Sequence, residues 1–579
     1  MADRSTTSGC CADTTEIPGG VALVAGLGIL ALFGAIETLV VAGFALGIPV
    51  TIAHLPLGLT VSLAAMWFGS RSLGAGHCTQ RFWRAVAVVL GSTAILAVAA
   101  AHIYDVSWDG LGYHQVAAIR MAQGWNPLTD PRGLTLHTFP KRVEWITSYP
   151  KGAWIPEAAF YKVFGHIEAA KALNSLVGVA AALLTFGLCL NLDRTRPLAA
   201  VAFAVAVAAC PVGIVQASTF YVDARLGYLL FCAVVGIALL CRLGPRAPLP
   251  TAIVALSLAL VSTTKLTGLV YACVVAAGIG AAVVVLKRFA AWRRPLFAAI
   301  ASIAAAALLV GVNPYVTNTV FHQSPFYPVA GPGARDLLAN QIPPNLAHAD
   351  PATRLIVSSF SAVQMSEEPQ PTRLKVPFSV QRSDLRAFAT PGARVGGFGP
   401  FFGGLLLLSL VTAAMVARDL RRQRDSVAAV AFGLAILVVL TALSGQQTSW
   451  ARYVPQFWAV PLLIAGAATY GNANRPRRGL ATAILAVALA NSAFVAWGAA
   501  TGQIAASRHL RAEIAELRLQ GTPIVFDFQG FDANRVRFAE AQLPYVEVTS
   551  PPPGTVGREL AGTRGIIYTP DNVPAEPPS

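Results

Sequence analysis

"AVAVVLGSTAILAVAAAHIYDVSWDGLGYH" spans residues 85–114 and joins two very different kinds of sequence. Residues 85–102 form an apolar run long enough for a helix that crosses the hydrocarbon core of a membrane. The residues directly after it include two aspartates, a tryptophan and a Tyr-His pair. A simple connection between helices requires none of these side chains. The stretch therefore predicts a membrane helix followed by a loop that carries chemistry.

The composition of the whole chain agrees with a membrane protein. Of its 579 residues, 55% are hydrophobic and only 12% are charged, whereas a soluble protein carries about 25% charged residues. The net charge is +15, but many of the basic residues lie in short segments between apolar runs. That distribution orients membrane helices and lacks the basic face that nucleic-acid binding requires. We predict an all-α polytopic membrane protein with no nucleic-acid partner.

Thirteen apolar runs are candidates for spanning helices. They lie near residues 21–46, 50–69, 85–102, 168–191, 198–217, 224–241, 250–263, 266–286, 296–313, 401–417, 427–444, 453–471 and 479–499. With the N-terminus inside, all the short basic connections fall on the same side of the membrane, as the positive-inside pattern requires. These connections are residues 71–84, 192–197, 242–249, 287–294, 418–426 and 472–478.

This topology predicts three parts. Residues 1–20 form a cytoplasmic leader, and residues 21–499 form the transmembrane domain, with large external loops at 103–167 and 314–400. Residues 500–579 form an external C-terminal α/β module. In it, a helical stripe of leucine and isoleucine ends at Gly521, "TPIVFDF" and "PYVEV" follow as strands, and the end "PAEPPS" is predicted to be disordered.

The first external loop holds the strongest candidates for a functional site. Asp105 and Asp109 follow the membrane helix directly, and Tyr113 and His114 open a predicted helix over 112–124. Such a helix could lie along the membrane interface with tryptophans at its ends. It would hold the two carboxylates where a lipid-linked substrate presents its head group. Alternatively, the aspartates only solvate the loop or cap the helix.

Further charged residues fall on the same predicted side of the membrane. They are Lys151 in "SYPKGAW", Asp223 in "STFYVDARLGY", Lys265 in "STTKLTGL", and Arg452 with Tyr453 in "SWARYVP". Each cation alone could simply extend from a helix end toward the head groups. Together, the carboxylates and cations predict one external pocket at the lipid boundary.

The stretches "WDGLGYH", "YVDA", "TKLTG", "NPYVTN", "PFYP" and "ARY" resemble landmarks of the GT-C-fold membrane glycosyltransferases. That superfamily includes protein O-mannosyltransferases, lipid A aminoarabinose transferases and bacterial lipopolysaccharide-core glycosyltransferases. The resemblance covers nearly the whole chain. It implies an enzyme that takes a sugar from a polyprenyl-phosphate carrier and transfers it to an envelope lipid, glycan or protein. One departure is Asp109-Gly110, where many members have two adjacent acids.

The resemblance also implies roles for the candidate residues. Asp109 is the first choice for the base of an inverting displacement, with Asp105 second. The leaving phosphate would contact cations, for which the candidates are Lys151, Lys265 and Arg452. Asp223 would steer the acceptor or the sugar, and Tyr113, His114 and Tyr453 would line the substrate site. His114 could instead bind a divalent metal ion beside Asp109, which leaves a metal cofactor open.

Two alternatives remain at this stage. A lipid-linked saccharide flippase or transporter would require polar groups deep in the spans, and Glu37 is the main acid in the middle of one. A polysaccharide polymerase or ligase would act on lipid-linked sugars at the same face. The Ala-, Arg- and Gly-rich composition favours the bacterial inner membrane, with the loops and C-terminus in the periplasm.

Overall fold

The computed structural model describes residues 17–132, 134, 140–335, 341–365, 368–423, 425–445, 447–472 and 474–571. Most of the predicted leader and the predicted disordered end lie outside these residues. Twenty-two α-helices form within the described part of the chain. Helices α1 to α11 are Gly20–Ala45, His54–Ser72, Cys78–Ala101, Gln115–Ala122, Pro140–Ser148, Trp154–Phe164, Ile167–Ala170, Ala172–Leu192, Pro197–Ala208, Pro211–Gln216 and Asp223–Leu243.

Helices α12 to α22 are Pro248–Thr264, Leu266–Val285, Phe289–Ala305, Thr317–His322, Pro351–Ser359, Arg382–Ala387, Phe402–Gln423, Ser426–Leu443, Ala459–Tyr470, Arg475–Leu519 and Ala533–Glu540. Every predicted apolar run contains a helix. Among the described residues, eight helices are long and apolar enough to cross a membrane, so the chain is an integral membrane protein. The all-α polytopic fold class is thereby confirmed, while the full number of thirteen spans stays a prediction.

Helix α1 lies at the centre of the helical domain. In the most apolar part of α1, 78% of the residues are buried. In the most apolar part of the helix that ends at Ala101, only 22% are buried. Helix α1 packs on α2, α3, α8 and α12. A charged side chain on an apolar helix that is enclosed on all sides needs a hydrogen-bond or ion-pair partner on a neighbouring helix. Glu37 of this helix is such a side chain.

One predicted span is broken in the structure. The run 198–217 divides into α9 and α10, and the break comes at Cys210 and Pro211. Proline has no N–H to donate inside a helix but fits the first turn of a new one. Pro211 therefore ends the first helix and begins the second, so the prediction of one continuous span was wrong here.

The predicted helix over 112–124 forms as a π-helical turn at Gly110–His114 followed by α4. It does not lie with one face open, as an interfacial helix would. All but one of the residues of α4 are buried, because α6 packs along it and α22 of the C-terminal module also contacts it. Helices that are distant in sequence therefore cover this helix, and its depth relative to the membrane stays a prediction.

The C-terminal module contains strands β1 Ile524–Asp527, β2 Tyr545–Glu547, β3 Thr555–Glu559 and β4 Ile566–Pro570. The sheet order is β2-β1-β4-β3, with β1 and β2 parallel and the other pairs antiparallel. This confirms the predicted α/β character and both predicted strands, and adds two more. The last spanning helix continues without interruption into the module, so α21 is 45 residues long.

Candidate active site

Two ion pairs lie next to each other around one tyrosine. Arg452 Nη1 is 2.8 Å from Asp109 Oδ2, and Lys265 Nζ is 2.5 Å from Asp223 Oδ1. The Lys265 ammonium lies 4.3 Å from the centre of the Tyr453 ring, and Arg452 Nη2 donates a hydrogen bond of 3.3 Å to the Tyr453 hydroxyl. Four segments that are distant in sequence thus bring two carboxylates and two cations to one place.

Local backbone structure places each charged group at a helix end. Asp109 directly precedes the π-helical turn, and Asp223 is the first residue of α11. Lys265 has an extended backbone with φ −154° and ψ 151°, and this separates α12 from α13. Arg452 lies in a short 3₁₀ turn, Ala451–Tyr453, which precedes Pro455. The side chains of both ion pairs are mostly buried but keep exposed fractions between 7% and 17%.

His114 forms the centre of an aromatic cluster beside these ion pairs. Its ring centre lies 5.8 Å from that of Tyr149, 5.6 Å from Trp154 and 6.2 Å from Tyr221. Trp154 Nε1 donates a hydrogen bond of 2.8 Å to His114 Nδ1. Burial lowers the pKa of His114 to about 3, although Asp109 and Asp223 oppose part of the shift. The imidazole is therefore neutral, and the hydrogen-bond pattern assigns its proton to Nε2.

The tyrosines of this cluster are neutral hydrogen-bonding groups. Burial raises the pKa of the Tyr113, Tyr149 and Tyr221 hydroxyls above the usual value. The Tyr221 hydroxyl also accepts a hydrogen bond of 3.4 Å from the Asp109 backbone N–H. The site therefore combines fixed charges with uncharged phenol and imidazole groups that can donate to hydroxyl or phosphate oxygens.

The low pKa of His114 predicts a specific loss of stability in acid. The unfolded chain takes up a proton near the ordinary histidine pKa of about 6.5, while the folded chain takes it up only near pH 3. Between these values the unfolded state binds more protons, so stability falls as the pH falls, by at most about 1.4 kcal/mol per pH unit. We expect this acid-dependent part to shrink in His114→Asn, measured by denaturant unfolding from pH 4 to about pH 7. An unchanged pH dependence in the variant would contradict the assignment.

Asp105 does not reach the two ion pairs. It is fully buried, and its carboxylate oxygens accept hydrogen bonds of 2.8 Å from the backbone N–H groups of Ser107 and Phe220. A Cβ on Gly110 would collide with this carboxylate. Asp105 thus connects the predicted external loop 103–167 to the segment before Asp223, and this position suits a structural role better than that of the second candidate base.

Lys151, a candidate for contact with the phosphate, lies inside the protein, and so does Arg142 of the same predicted loop. Lys151 is 3% exposed, and its Nζ donates to the carbonyl oxygens of Thr147 and Tyr149 and to Asn313 Oδ1. Burial lowers the pKa of Lys151 well below the usual value. Arg142 Nη1 donates to the Gly530 carbonyl oxygen in the C-terminal module, at 2.5 Å. Distant segments cover both side chains.

Tyr149, Trp154 and Tyr221 were not among the predicted site residues. All three stand in stretches that were quoted for their charged neighbours, at "SYPKGAW" and "STFYVDARLGY". Aromatic residues at membrane boundaries are common, so their type alone did not distinguish them. Their positions within a few residues of predicted site acids and cations were the only sign in the sequence that they belong to the site.

The metal hypothesis concerned His114 and Asp109. The described residues contain no group of three or more His, Cys, Asp or Glu side chains that could hold a metal ion. The Nδ1 atom of His114 is occupied by the Trp154 indole N–H, and the Asp109 carboxylate is paired with Arg452. This donor set fits a resident metal ion poorly.

A scan for protein families found no match, and no curated protein matches the chain. Among solved structures, the chain is similar to the crystal structure of ArnT from Cupriavidus metallidurans bound to undecaprenyl phosphate. The identity is 13% and the TM-score 0.41, over 85% of this chain and 98% of that chain. The apo structure of the same protein matches with 14% identity and a TM-score of 0.36, over 80% and 86%. Both similarities are remote.

Proposed function

We propose that this chain is a membrane glycosyltransferase that takes a sugar from a polyprenyl-phosphate carrier. The observation that carries the proposal is the pair of adjacent ion pairs, Asp109 with Arg452 and Asp223 with Lys265, around Tyr453. A transfer of this kind needs a carboxylate for the incoming hydroxyl and cations for the departing phosphate. The partly exposed side chains of these pairs supply both kinds of group within one site.

Asp109 acts as the base in the proposed reaction. It accepts the proton of an acceptor hydroxyl while the oxygen of that hydroxyl bonds to the anomeric carbon. The bond from the anomeric carbon to the phosphate oxygen breaks on the opposite side, and its electron pair leaves with the lipid phosphate. The configuration at the anomeric carbon is therefore inverted.

Lys265 and Arg452 stabilise the leaving phosphate, on which negative charge grows in the transition state. Both cations are held by carboxylates, which fixes their positions in the site. Asp223 orients Lys265, and the neutral Tyr149 and His114 are placed to bind sugar hydroxyls. The acceptor is an envelope lipid, glycan or protein on the periplasmic face of a bacterial inner membrane.

The direct test uses purified protein in lipid nanodiscs, labelled polyprenyl-phosphate monosaccharides and a bacterial envelope extract as acceptor. Release of polyprenyl phosphate together with a new labelled glycoside supports the proposal. Movement of the intact donor across a liposome membrane without cleavage would support the flippase instead. Consumption of oligosaccharide donors alone would support the polymerase or ligase.

Arg452→Lys is expected to weaken donor binding. The guanidinium can give a phosphate two parallel hydrogen bonds, while an ammonium acts as a point charge. Loss of about one hydrogen bond corresponds to about 1.4 kcal/mol, so the donor KM should rise about tenfold. Steady-state rates at varied donor concentration measure this. A donor KM equal to the wild-type value would remove Arg452 from the phosphate site.

A further inference from the structure

A further buried ion pair joins two spanning helices, apart from the two pairs of the proposed site. Glu37 of α1 is 2% exposed and Arg225 of α11 is fully buried, and Glu37 Oε1 lies 3.1 Å from Arg225 Nη2. Charges in this position are costly for a membrane protein and usually have a function. None of the roles proposed above uses this pair.

Glu37 and Arg225 contact two segments that carry site residues, and Arg225 itself lies in a third, beside Asp223. Thr263 Oγ1 donates a hydrogen bond of 2.7 Å to Glu37 Oε2. Arg225 donates to the carbonyl oxygens of Gly152, at 3.0 Å, and Ala153, at 3.4 Å. The Gly152 N–H in turn donates to the Thr263 carbonyl oxygen at 2.9 Å. The pair and its neighbours therefore form one closed network.

Each contacted residue stands close in sequence to a group of the site. Arg225 follows Asp223 by two residues, and Thr263 precedes Lys265 by two. The approach of Gly152 to Thr263 leaves no room for a side chain, since a Cβ there would lie 2.6 Å from the Thr263 Cβ. The network thus joins the chain segments on both sides of the Asp223–Lys265 pair.

We propose that Glu37 and Arg225 are positioning residues, which set the spacing of Asp223 and Lys265 for the departing phosphate. This inference rests on the proposed function. It gives Glu37, the acid in the middle of a span, a role in sugar transfer. In the alternative transporter, the same acid would belong to the transport pathway. Glu37 acts through Arg225 and Thr263, without touching the substrate.

The test compares Glu37→Gln with Glu157→Gln. The glutamine at position 37 keeps the size and an acceptor for Thr263 but removes the charge that holds Arg225. We expect kcat for glycosyl transfer to fall about tenfold, less than the ~10²-fold cost of a 1 Å displacement at a reacting group. We also expect faster acylation of Lys265 by an amine-reactive reagent, followed by mass spectrometry, because the ammonium is held less firmly against Asp223.

Glu157 is a matched control. It is fully buried and interacts electrostatically with Arg225, but its hydrogen-bond partner is Asn174, at 2.9 Å, on α8. Burial raises the pKa of Glu157 well above the usual value, which favours the neutral carboxyl. Glutamine then replaces one neutral group with another, and both kcat and Lys265 labelling should stay at the wild-type values.

The outcomes separate the two proposals. Unchanged Lys265 labelling in Glu37→Gln, or an equal loss of kcat in both variants, overturns the positioning role. If the wild-type protein transfers no sugar, the proposed function fails, while the labelling experiment still reports on the positioning network. If Glu37→Gln does not fold, Thr263→Val removes only one hydroxyl from the network. It should change kcat and labelling in the same direction, and no change in it would overturn the inference.

Discussion

Replacing Asp109 with asparagine is expected to lower kcat for glycosyl transfer by about 10²–10⁴-fold, the usual contribution of a general base. The amide has nearly the same shape as the carboxylate and can still accept a hydrogen bond from Arg452, but it cannot take the acceptor proton. Because Arg452 is then no longer held by a full negative charge, the donor KM should stay unchanged or fall. Initial rates of glycoside formation at varied donor concentration measure both quantities.

Asp105→Asn is the control for this experiment. Both carboxylate oxygens of Asp105 accept backbone N–H groups, and an asparagine can replace only one of these acceptors. We expect a lower thermal stability from this variant and a smaller loss of kcat than from Asp109→Asn. Activity of Asp109→Asn close to the wild-type value would remove Asp109 as the base. A full loss of kcat in Asp105→Asn at unchanged stability would indicate that Asp105 is the base instead.

Apolar length and basic connections were sufficient to predict the membrane fold. A helix in lipid must satisfy its own backbone hydrogen bonds, so a long apolar run has few other structures available. The C-terminal strands were predicted from β-branched and aromatic residues in "TPIVFDF" and "PYVEV". Strand β3 is mostly exposed and polar, and it lacks the alternation that would have indicated a strand.

The candidate site could be predicted in part because its charged residues stand at helix ends on one side of the predicted membrane. Asp109, Asp223, Lys265 and Arg452 meet in the structure as that topology requires. Which carboxylate pairs with which cation depends on how helices that are distant in sequence pack against each other. The periodicity of apolar residues carries no information about this packing. Lys151 is an example, because it donates a hydrogen bond to Asn313, which lies 162 residues away in the sequence.

The contact between the C-terminal module and the predicted external loop 103–167 could not be predicted from the sequence either. Arg537 of α22 is buried, and its guanidinium donates to Glu168 Oε1 from both Nε, at 2.8 Å, and Nη2, at 2.5 Å. The Nη2 atom also donates to the Asp105 carbonyl oxygen, at 2.5 Å, and Glu168 Oε2 accepts the Asp105 N–H, at 3.1 Å. Glu168 is paired with Lys171 as well. One side chain of the module therefore helps to hold the backbone four residues before Asp109.

Arg537→Met is expected to destabilise the docked module by about 3–5 kcal/mol, the cost of removing one partner from a buried ion pair. The methionine fills part of the space, but Glu168 loses its strongest cation and the Asp105 carbonyl loses a donor. Hydrogen–deuterium exchange should therefore accelerate in residues 103–110 as well as in α22. Because Asp109 follows this segment, kcat should fall while the Asp109 side chain itself is intact.

Arg535→Met is the matched control, because Arg535 lies on the same helix but pairs within the module. Its partners are Asp532 and Glu547, and the Glu547 side chain is 34% exposed. Exposed pairs contribute about 0–1 kcal/mol, so exchange in residues 103–110 should stay at the wild-type rate. If both variants accelerated exchange there equally, general loosening of α22 would explain the effect. If only Arg537→Met does so, the module contributes to the site by holding the backbone that leads to Asp109.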